Sequence, residues 1–243
     1  MRDKLILLPG WGLGSAPLQP LADALRGLDP RLHVQIEPLP LLDSSDPADW
    51  LDELDANLAQ DAWLGGWSLG GMLAAQLAAR RGERCNGLLT LGSNLRFVAE
   101  PSWPAAMADE TFAVFRQDCC ADAAVTLKRF ALLCAQGAAD ARGLSRQLLA
   151  AAPPAQSTTL LAGLDVLAAL DTREALQAFV GPQLHLFAGA DALVPATVAP
   201  ALLALLADVE VGLIDHASHA FALERPHEIA AAIQAFLHEA GDD

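Results

Sequence analysis

The chain has 243 residues, of which 53% are hydrophobic, and a net charge of −15; this is enough for one large α/β domain or two small ones, with a substantial core. The acidic excess argues against nucleic acid and anionic membrane surfaces as partners, and no apolar run approaches the length of a membrane span. Four cysteines, Cys85, Cys119, Cys120 and Cys134, show neither zinc-ligand nor disulfide spacing, so reduced thiols in a cytoplasmic protein are expected.

The N-terminal stretch Met1 to Gly10 has charges and then a short apolar run, Leu5 to Leu8. That run is too short for a signal-peptide core and reads as a first strand. A helix is expected over Pro17 to Leu28, a strand over Leu32 to Ile36 and a helix over Asp46 to Ala59. A strand at Ala62 to Gly65, a helix at Met72 to Arg80 and a strand at Gly87 to Leu91 follow. Short continuous apolar strands between helices imply a parallel sheet covered on both faces. The rhythm breaks from Arg96 to about Asp165, where helical patterns cover Ala105 to Arg116, Ala121 to Gln136 and Ala139 to Ala151, and Pro153-Pro154 interrupts them. Alternation returns with a strand at Pro182 to Phe187, a helix at Pro195 to Leu206, a strand at Val209 to Ile214 and a helix at Pro226 to Ala240. The expected organisation is a core of residues 1–95 and 166–243 with a helical lid, 96–165, inserted in it.

Gly66-Trp67-Ser68-Leu69-Gly70 fits G-x-S-x-G between an expected strand and an expected helix. A serine on such a turn is a nucleophile elbow. The glycines suit a crowded turn where a Cβ would clash, and the N-terminus of the following helix favours the negative charge that forms there. The competing reading is a plain small-residue turn, since the pattern alone is only moderately specific; the strand before and the helix after weigh against it.

A serine nucleophile needs a base within hydrogen-bond reach and an acid that orients the base. With an elbow serine, the chain order is Ser, then Asp or Glu, then His, with the acid and His in loops after late strands. Asp191 lies just beyond the strand Pro182 to Phe187; its alternative role is a turn or capping aspartate. Asp171 is a rival, but Glu174 three residues on makes it resemble a capping box. Of six histidines, His33, His185, His227 and His238 fall within strand or helix patterns. His216 and His219 share the loop after the last strand; His219, deeper in that loop, is favoured as the base and His216 is the fallback. The oxyanion hole needs two backbone N–H donors, expected from Leu69 and from Trp11 in the glycine-rich loop Pro9 to Gly14. The same loop lacks G-x-G-x-x-G spacing, which weakens a nucleotide-binding alternative.

With these residues placed, the chain resembles the α/β-hydrolase superfamily over its whole length. More narrowly it is similar to the pimeloyl-[acyl-carrier protein] methyl ester esterases of biotin synthesis. The resemblance is carried by Gly10-Trp11-Gly12-Leu13, Gly66-Trp67-Ser68-Leu69-Gly70-Gly71, Lys128-Arg129-Phe130, Gly163-Leu164-Asp165-Val166-Leu167, Asp191-Ala192-Leu193-Val194-Pro195 and His219-Ala220. It implies an α/β-hydrolase fold, a mostly parallel sheet with helices on both faces and a helical lid. It also implies Ser68, Asp191 and His219 as triad, Trp11 and Leu69 as oxyanion donors and Phe130 beside the pimeloyl chain. Arg129, Arg142 and Arg146 on the lid would bind the acyl carrier protein, and a monomer needing no metal and no organic cofactor is expected. Among the departures, Pro9 replaces the family's common His before Gly10, and Val125 stands where a fourth lid arginine is usual.

Residues 121–150 hold Lys128, Arg129, Arg142 and Arg146 against Asp122 and Asp140, a basic stretch in an acidic chain. Arg142 and Arg146 are spaced i, i+4 on one helix face. Either this is a solvated face with ordinary salt bridges, or it orients an acidic carrier protein. The alternatives to the carrier-linked esterase are a less selective short-chain carboxylesterase or thioesterase, and an inactive hydrolase fold used as a binding module. Ser68 disfavours the dehalogenases and epoxide hydrolases of this fold, which use an Asp nucleophile.

Overall fold

The computed structural model describes residues 4–150, 152–154, 156–206 and 208–242. Met1 to Asp3, and Ala151 at the end of the third expected lid helix, lie outside the described residues. Strand β1 (Lys4–Leu8) pairs with β2 (His33–Ile36) on one side and β3 (Ala62–Trp67) on the other, and β4 (Cys85–Leu91), β5 (Gln183–Ala188) and β6 (Glu210–Ile214) continue outward from β3. Every pairing is parallel. All residues of β3 and β5 are buried, as expected for apolar strands covered on both faces.

The register brings the functional loops to one rim. Leu8 lies opposite Gly66, and Trp67 opposite Leu91, so the loops after β1, β3 and β4 leave the sheet at the same edge. The chain builds from β1 to β2 and then crosses back to place β3 on the far side of β1. Open α/β sheets bind ligands outside the carboxyl ends of strands at such a reversal.

The helices are α1 (Gln19–Leu28), α2 (Pro47–Asn57), α3 (Leu69–Arg81), α4 (Asp109–Ala121), α5 (Ala123–Ala135), α6 (Ala141–Ala150), α7 (Ser157–Ala169), α8 (Arg173–Ala178), α9 (Val198–Leu205), α10 (Phe221–Glu224) and α11 (Pro226–Asp242). Helix α1 packs on α11, while α3 packs on α2 and α8. Local chemistry sets several starts. Asp46 accepts from Ala48 N at 2.9 Å, with Pro47 opening α2, and Asp122 accepts from Val125 N at 3.0 Å to cap α5. Each such cap contributes about 1 kcal/mol.

The six expected strands are all present, and most helix ends shift by a few residues. Three differences have physical causes. The expected helix from Ala105 begins only at Asp109: Asn94 holds the preceding segment, accepting from Trp103 Nε1 at 2.9 Å and donating from Nδ2 to Ala105 O at 2.8 Å. Asp171 does not form a capping box. Thr172 is the N-cap of α8, and Asp171 instead joins an ion cluster with Arg96 and Arg173. The expected lid boundary at 165/166 falls inside α7, which runs unbroken through that point. No Pro or Gly interrupts it there, and Asp165 is tied to Arg116 of α4 by a two-pronged ion pair. Three helices lie outside the expected ones: α7, which follows Pro153-Pro154, and the short α8 and α10, each spanning under two turns.

Candidate active site

Ser68 sits between β3 and α3 with φ 56° and ψ −120°. A non-glycine residue in that region stores about 1–3 kcal/mol of strain, so the surroundings must over-determine it. They do so through backbone contacts: Ser68 N donates to Leu91 O at 2.9 Å, and Ser93 Oγ donates to Ser68 O at 2.8 Å. The glycines of the motif permit this closeness. A Cβ on Gly66 would stand 2.3 Å from the Gly70 carbonyl carbon, and one on Gly70 would stand 2.3 Å from Leu8 O. The strained turn is therefore wedged between β1 and the first turn of α3, and the residue after the serine, Leu69, opens the helix. Its amide N–H has no intrahelical acceptor at that position.

Asp191 and His219 meet in the loops after β5 and β6. His219 Nδ1 lies 2.7 Å from Asp191 Oδ2, with both side chains nearly inaccessible to solvent. The other carboxylate oxygen, Oδ1, accepts from Leu193 N at 2.8 Å and Val194 N at 2.9 Å, which fixes the acid's orientation. His219 Nε2 is buried with no hydrogen-bond partner among the described residues. A buried polar atom left open calls for a physical reason; here it is the one imidazole nitrogen still able to take a proton.

The structure separates the candidates that the sequence left open. His216 is exposed, has φ 55° and offers only its backbone carbonyl, to Arg225 Nη2 at 3.1 Å. Among the described residues, the Asp171 carboxylate is paired with Arg96 and Arg173 and not with a histidine. The Arg173 guanidinium next to Asp171 holds that carboxyl below its usual range. Of the other histidines, His33, His227 and His238 are exposed. His185 is buried in β5 with Nδ1 2.7 Å from Thr90 Oγ1, and burial pushes its pKa down to about 3.

Supporting groups appear that no sequence pattern announces. Trp67 Nε1 donates to His219 O at 2.9 Å, so the strand before Ser68 grips the His219 loop. Glu224 Oε2 accepts from Ser218 N at 3.0 Å and Ser218 Oγ at 2.8 Å, bracing the same loop from α10. Ala190 N donates to Ala217 O at 2.9 Å, joining the Asp191 loop to the His219 loop. In the sequence Trp67 stood out as part of the elbow and of the family resemblance, with no sign of its bond to the His219 loop, and Glu224 carried no signal.

Trp11 follows β1 with its indole buried. Nε1 donates to Leu160 O at 2.8 Å, and the ring meets Phe130 edge-on at 4.9 Å and Phe115 at 5.7 Å. Phe130 is thus brought to the loop after β1. An apolar groove of about 580 Å³ runs beside that loop, lined in part by Trp11, Leu39, Leu41, Trp50, Pro153 and Leu160, with no charged side chain in its wall. Arg129 is ion-paired with Asp118. Arg142 and Arg146 are exposed and make no ion pair among the described residues.

An alpha/beta hydrolase fold family model matches residues 5–226. The chain belongs to the α/β-hydrolase family. It is 36% identical over 97% of its length to a biotin biosynthesis bifunctional protein BioHC of Cellvibrio japonicus, of which it spans only about half, 47%. It is 34% identical to a pimeloyl-[acyl-carrier protein] methyl ester esterase of Aeromonas hydrophila, with 96% of this chain and 94% of that relative covered. A crystal structure of a bromoperoxidase from Bacillus anthracis superposes with a TM-score of 0.83 at 18% identity, covering 98% of this chain and 92% of that one, a likeness of fold. The resemblance to the pimeloyl methyl ester esterases therefore extends over nearly the whole chain. Among the described residues, no helix is long and apolar enough to cross a membrane, and no group of three or more His, Cys, Asp or Glu side chains is arranged to hold a metal ion. The four cysteines are free thiols.

Proposed function

We propose that this α/β hydrolase is a serine carboxylic ester hydrolase of the cytoplasm that removes the methyl ester from a pimeloyl chain borne on acyl carrier protein. The observation that carries the reading is the 2.7 Å contact between Asp191 Oδ2 and His219 Nδ1 with Nε2 left open. Asp191 keeps the Nδ1 proton in place, so Nε2 is the basic nitrogen. It takes the proton of Ser68, whose Oγ attacks the ester carbonyl. The amide N–H groups of Leu69 and Trp11 receive the oxyanion, the step at which preorganised donors contribute most. His219 returns the proton to methoxide, methanol leaves, and water activated by the same imidazole hydrolyses the acyl-enzyme to the carboxylate. Burial of Ser68 and His219 keeps bulk water away and strengthens each of these interactions.

The groove beside Trp11, whose lining includes neither Ser68 nor Phe130, and the buried Phe130 packed edge-on against Trp11 offer apolar surface that suits an uncharged alkyl chain. Lys128, Arg142 and Arg146 are exposed cations without ion-pair partners among the described residues, on α5 and α6, which pack together. They suit an acidic carrier, steering it while the acidic remainder of the surface repels other approaches. The names of the relatives support the same substrate. Two observations favour a second reading, a less selective short-chain esterase: Val125 occupies one expected cation position, and Arg129 is already engaged by Asp118.

Ser68→Ala should lower kcat by about 10⁴–10⁶-fold, with loss of labelling by a fluorophosphonate probe; full turnover in the purified variant ends the serine mechanism. Comparing kcat/KM on carrier-borne and free pimeloyl methyl esters separates the two substrate readings. Arg142→Glu/Arg146→Glu should erase the preference for the carrier while leaving free-ester hydrolysis intact. An unchanged preference removes these arginines from the reading, and equal rates on both substrates in the parent favour the less selective esterase.

A further inference from the structure

Helix α5 and the turn just past it touch all three loops that the proposed chemistry uses. On the oxyanion side, Phe130 packs edge-on against the Trp11 indole, and that indole is latched to α7 through Leu160 O. One turn later, Cys134 O accepts from Ala220 N at 3.0 Å, and Ala220 is the residue after His219. Phe130 and Cys134 are spaced i, i+4, so they share one helix face, and both are buried. Just past the helix end, Gly137 has φ +98°, and a Cβ there would stand 2.4 Å from the carbonyl oxygen of Ala190, the residue before Asp191. Burial first, and then the neighbouring Asp191 carboxylate, push the Cys134 thiol well above its usual pKa, in keeping with how closely the helix lies on the acid.

We propose that the inserted segment formed by α5, the turn at Gly137 just past it and the Leu160 carbonyl of α7 is a positioning element for the reaction: by docking on the oxyanion, acid and base loops together, it sets the distance between the oxyanion donor and the Asp191–His219 pair. The inference rests on the reading of Ser68, Asp191 and His219 above. Its physical basis is stiffness. One helical turn, about 5–6 Å, separates the residue that meets Trp11 from the residue that holds the His219 loop. The contact at Cys134 is directed, because a carbonyl in the last turn of a helix lacks an intrahelical partner and here takes the loop amide instead. Gly137 fits because any side chain would push the acid loop away. The inserted helices thus act as a template for the catalytic loops, in addition to covering them.

Two variants test this. Gly137→Ala displaces the acid loop, and Trp11→Phe removes the 2.8 Å latch to α7 while keeping an aromatic ring against Phe130. Rates are measured per active site titrated with a fluorophosphonate, together with KM and the affinity for a trifluoromethyl ketone, which forms a hemiketal oxyanion on the serine. A misplacement near 1 Å lowers turnover by about 10²-fold, so kcat per titrated site should fall about 10- to 100-fold in each variant. Trifluoromethyl ketone affinity should fall in parallel and KM should change little. A purely structural role predicts fewer titratable sites and a lower Tm with kcat per site intact. If Gly137→Ala does not fold, Trp11→Phe decides alone. Turnover per site within twofold of the parent overturns the inference. Failure of the probe to label Ser68 in the parent overturns the serine reading and this inference with it, whereas labelling with unchanged variant turnover overturns this inference only.

Discussion

Asp191→Asn tests the geometry most directly. Asp191 does two separable jobs: Oδ1 accepts two backbone amides at 2.8 and 2.9 Å, and Oδ2 meets His219 Nδ1 at 2.7 Å. An asparagine keeps the first job, since its side-chain oxygen can accept both amides, so the loop should stay in place. It reverses the second. The amide NH₂ now faces Nδ1 as a donor, and the imidazole must carry its proton on Nε2, where it can no longer take one from Ser68. The negative charge opposite the imidazolium is lost as well. Two unit charges about 4 Å apart interact by about 4 kcal/mol at an effective dielectric constant of 20, and the wrong tautomer adds to this. The sum is consistent with the ~10⁴-fold loss known for such a change in a serine triad, or about 5 kcal/mol of transition-state stabilisation. The assay is initial-rate hydrolysis of an activated short-chain ester, with the protein's fold checked by thermal melting. A variant with an unchanged Tm and kcat/KM about 10⁴ below the parent is expected. Retention of a tenth or more of the parent kcat/KM would refute the role assigned to the Asp191–His219 contact.

Two further predictions concern stability. His185 is uncharged in the fold, with its pKa lowered to about 3 by burial, whereas in the unfolded chain it binds a proton below about pH 6.5. The unfolded state therefore holds more protons between these values, and this contribution to stability is complete above about 6.5 and lost as the pH falls toward 3. The slope is about 1.4 kcal/mol per pH unit, or about 2 kcal/mol by pH 5. Urea midpoints from pH 7 to pH 5 should fall more steeply for the parent than for His185→Gln, and parallel slopes would remove the histidine as the cause. Arg81 has a fully buried side chain that donates to Asp55 Oδ1 at 2.7 Å and to the carbonyls of Ala59 and Leu58 at 2.9 and 3.2 Å, tying the end of α3 to the end of α2. Arg81→Ala should cost about 3 kcal/mol, the lower end for breaking a buried pair because Asp55 can rehydrate. A loss under about 1 kcal/mol in urea unfolding would show that these bonds contribute little net energy.

The sheet and the order of the functional loops were legible because their signals are local. An apolar run of four to seven residues between helical patterns marks a buried parallel strand without knowledge of its neighbours, and β1, β3, β4 and β5 were found in this way, whereas the edge strands β2 and β6 are only partly buried and were placed by the alternation with helices. The elbow was legible for the same reason: the crowding that requires Gly66 and Gly70 is produced by residues within one turn of Ser68, together with the adjacent β1. The segment from Ala105 to Ala108 was misread because its fate depends on Asn94 and Trp103, side chains whose reach cannot be inferred from periodicity. Asp171 was misread for a similar reason, since its partners Arg96 and Arg173 come from two separate segments.

By itself, the sequence determined that a serine on a tight strand-to-helix turn precedes an acid and two histidines in loops after later strands, because backbone sterics and hydrophobic periodicity act over a few residues. Only the tertiary structure decided that His219 faces Asp191 while His216 turns to solvent, and that Trp67, Glu224 and the Cys134 carbonyl hold the His219 loop. Those outcomes depend on contacts between residues as much as 152 positions apart, and the pairing of such distant groups is set by how the chain packs as a whole.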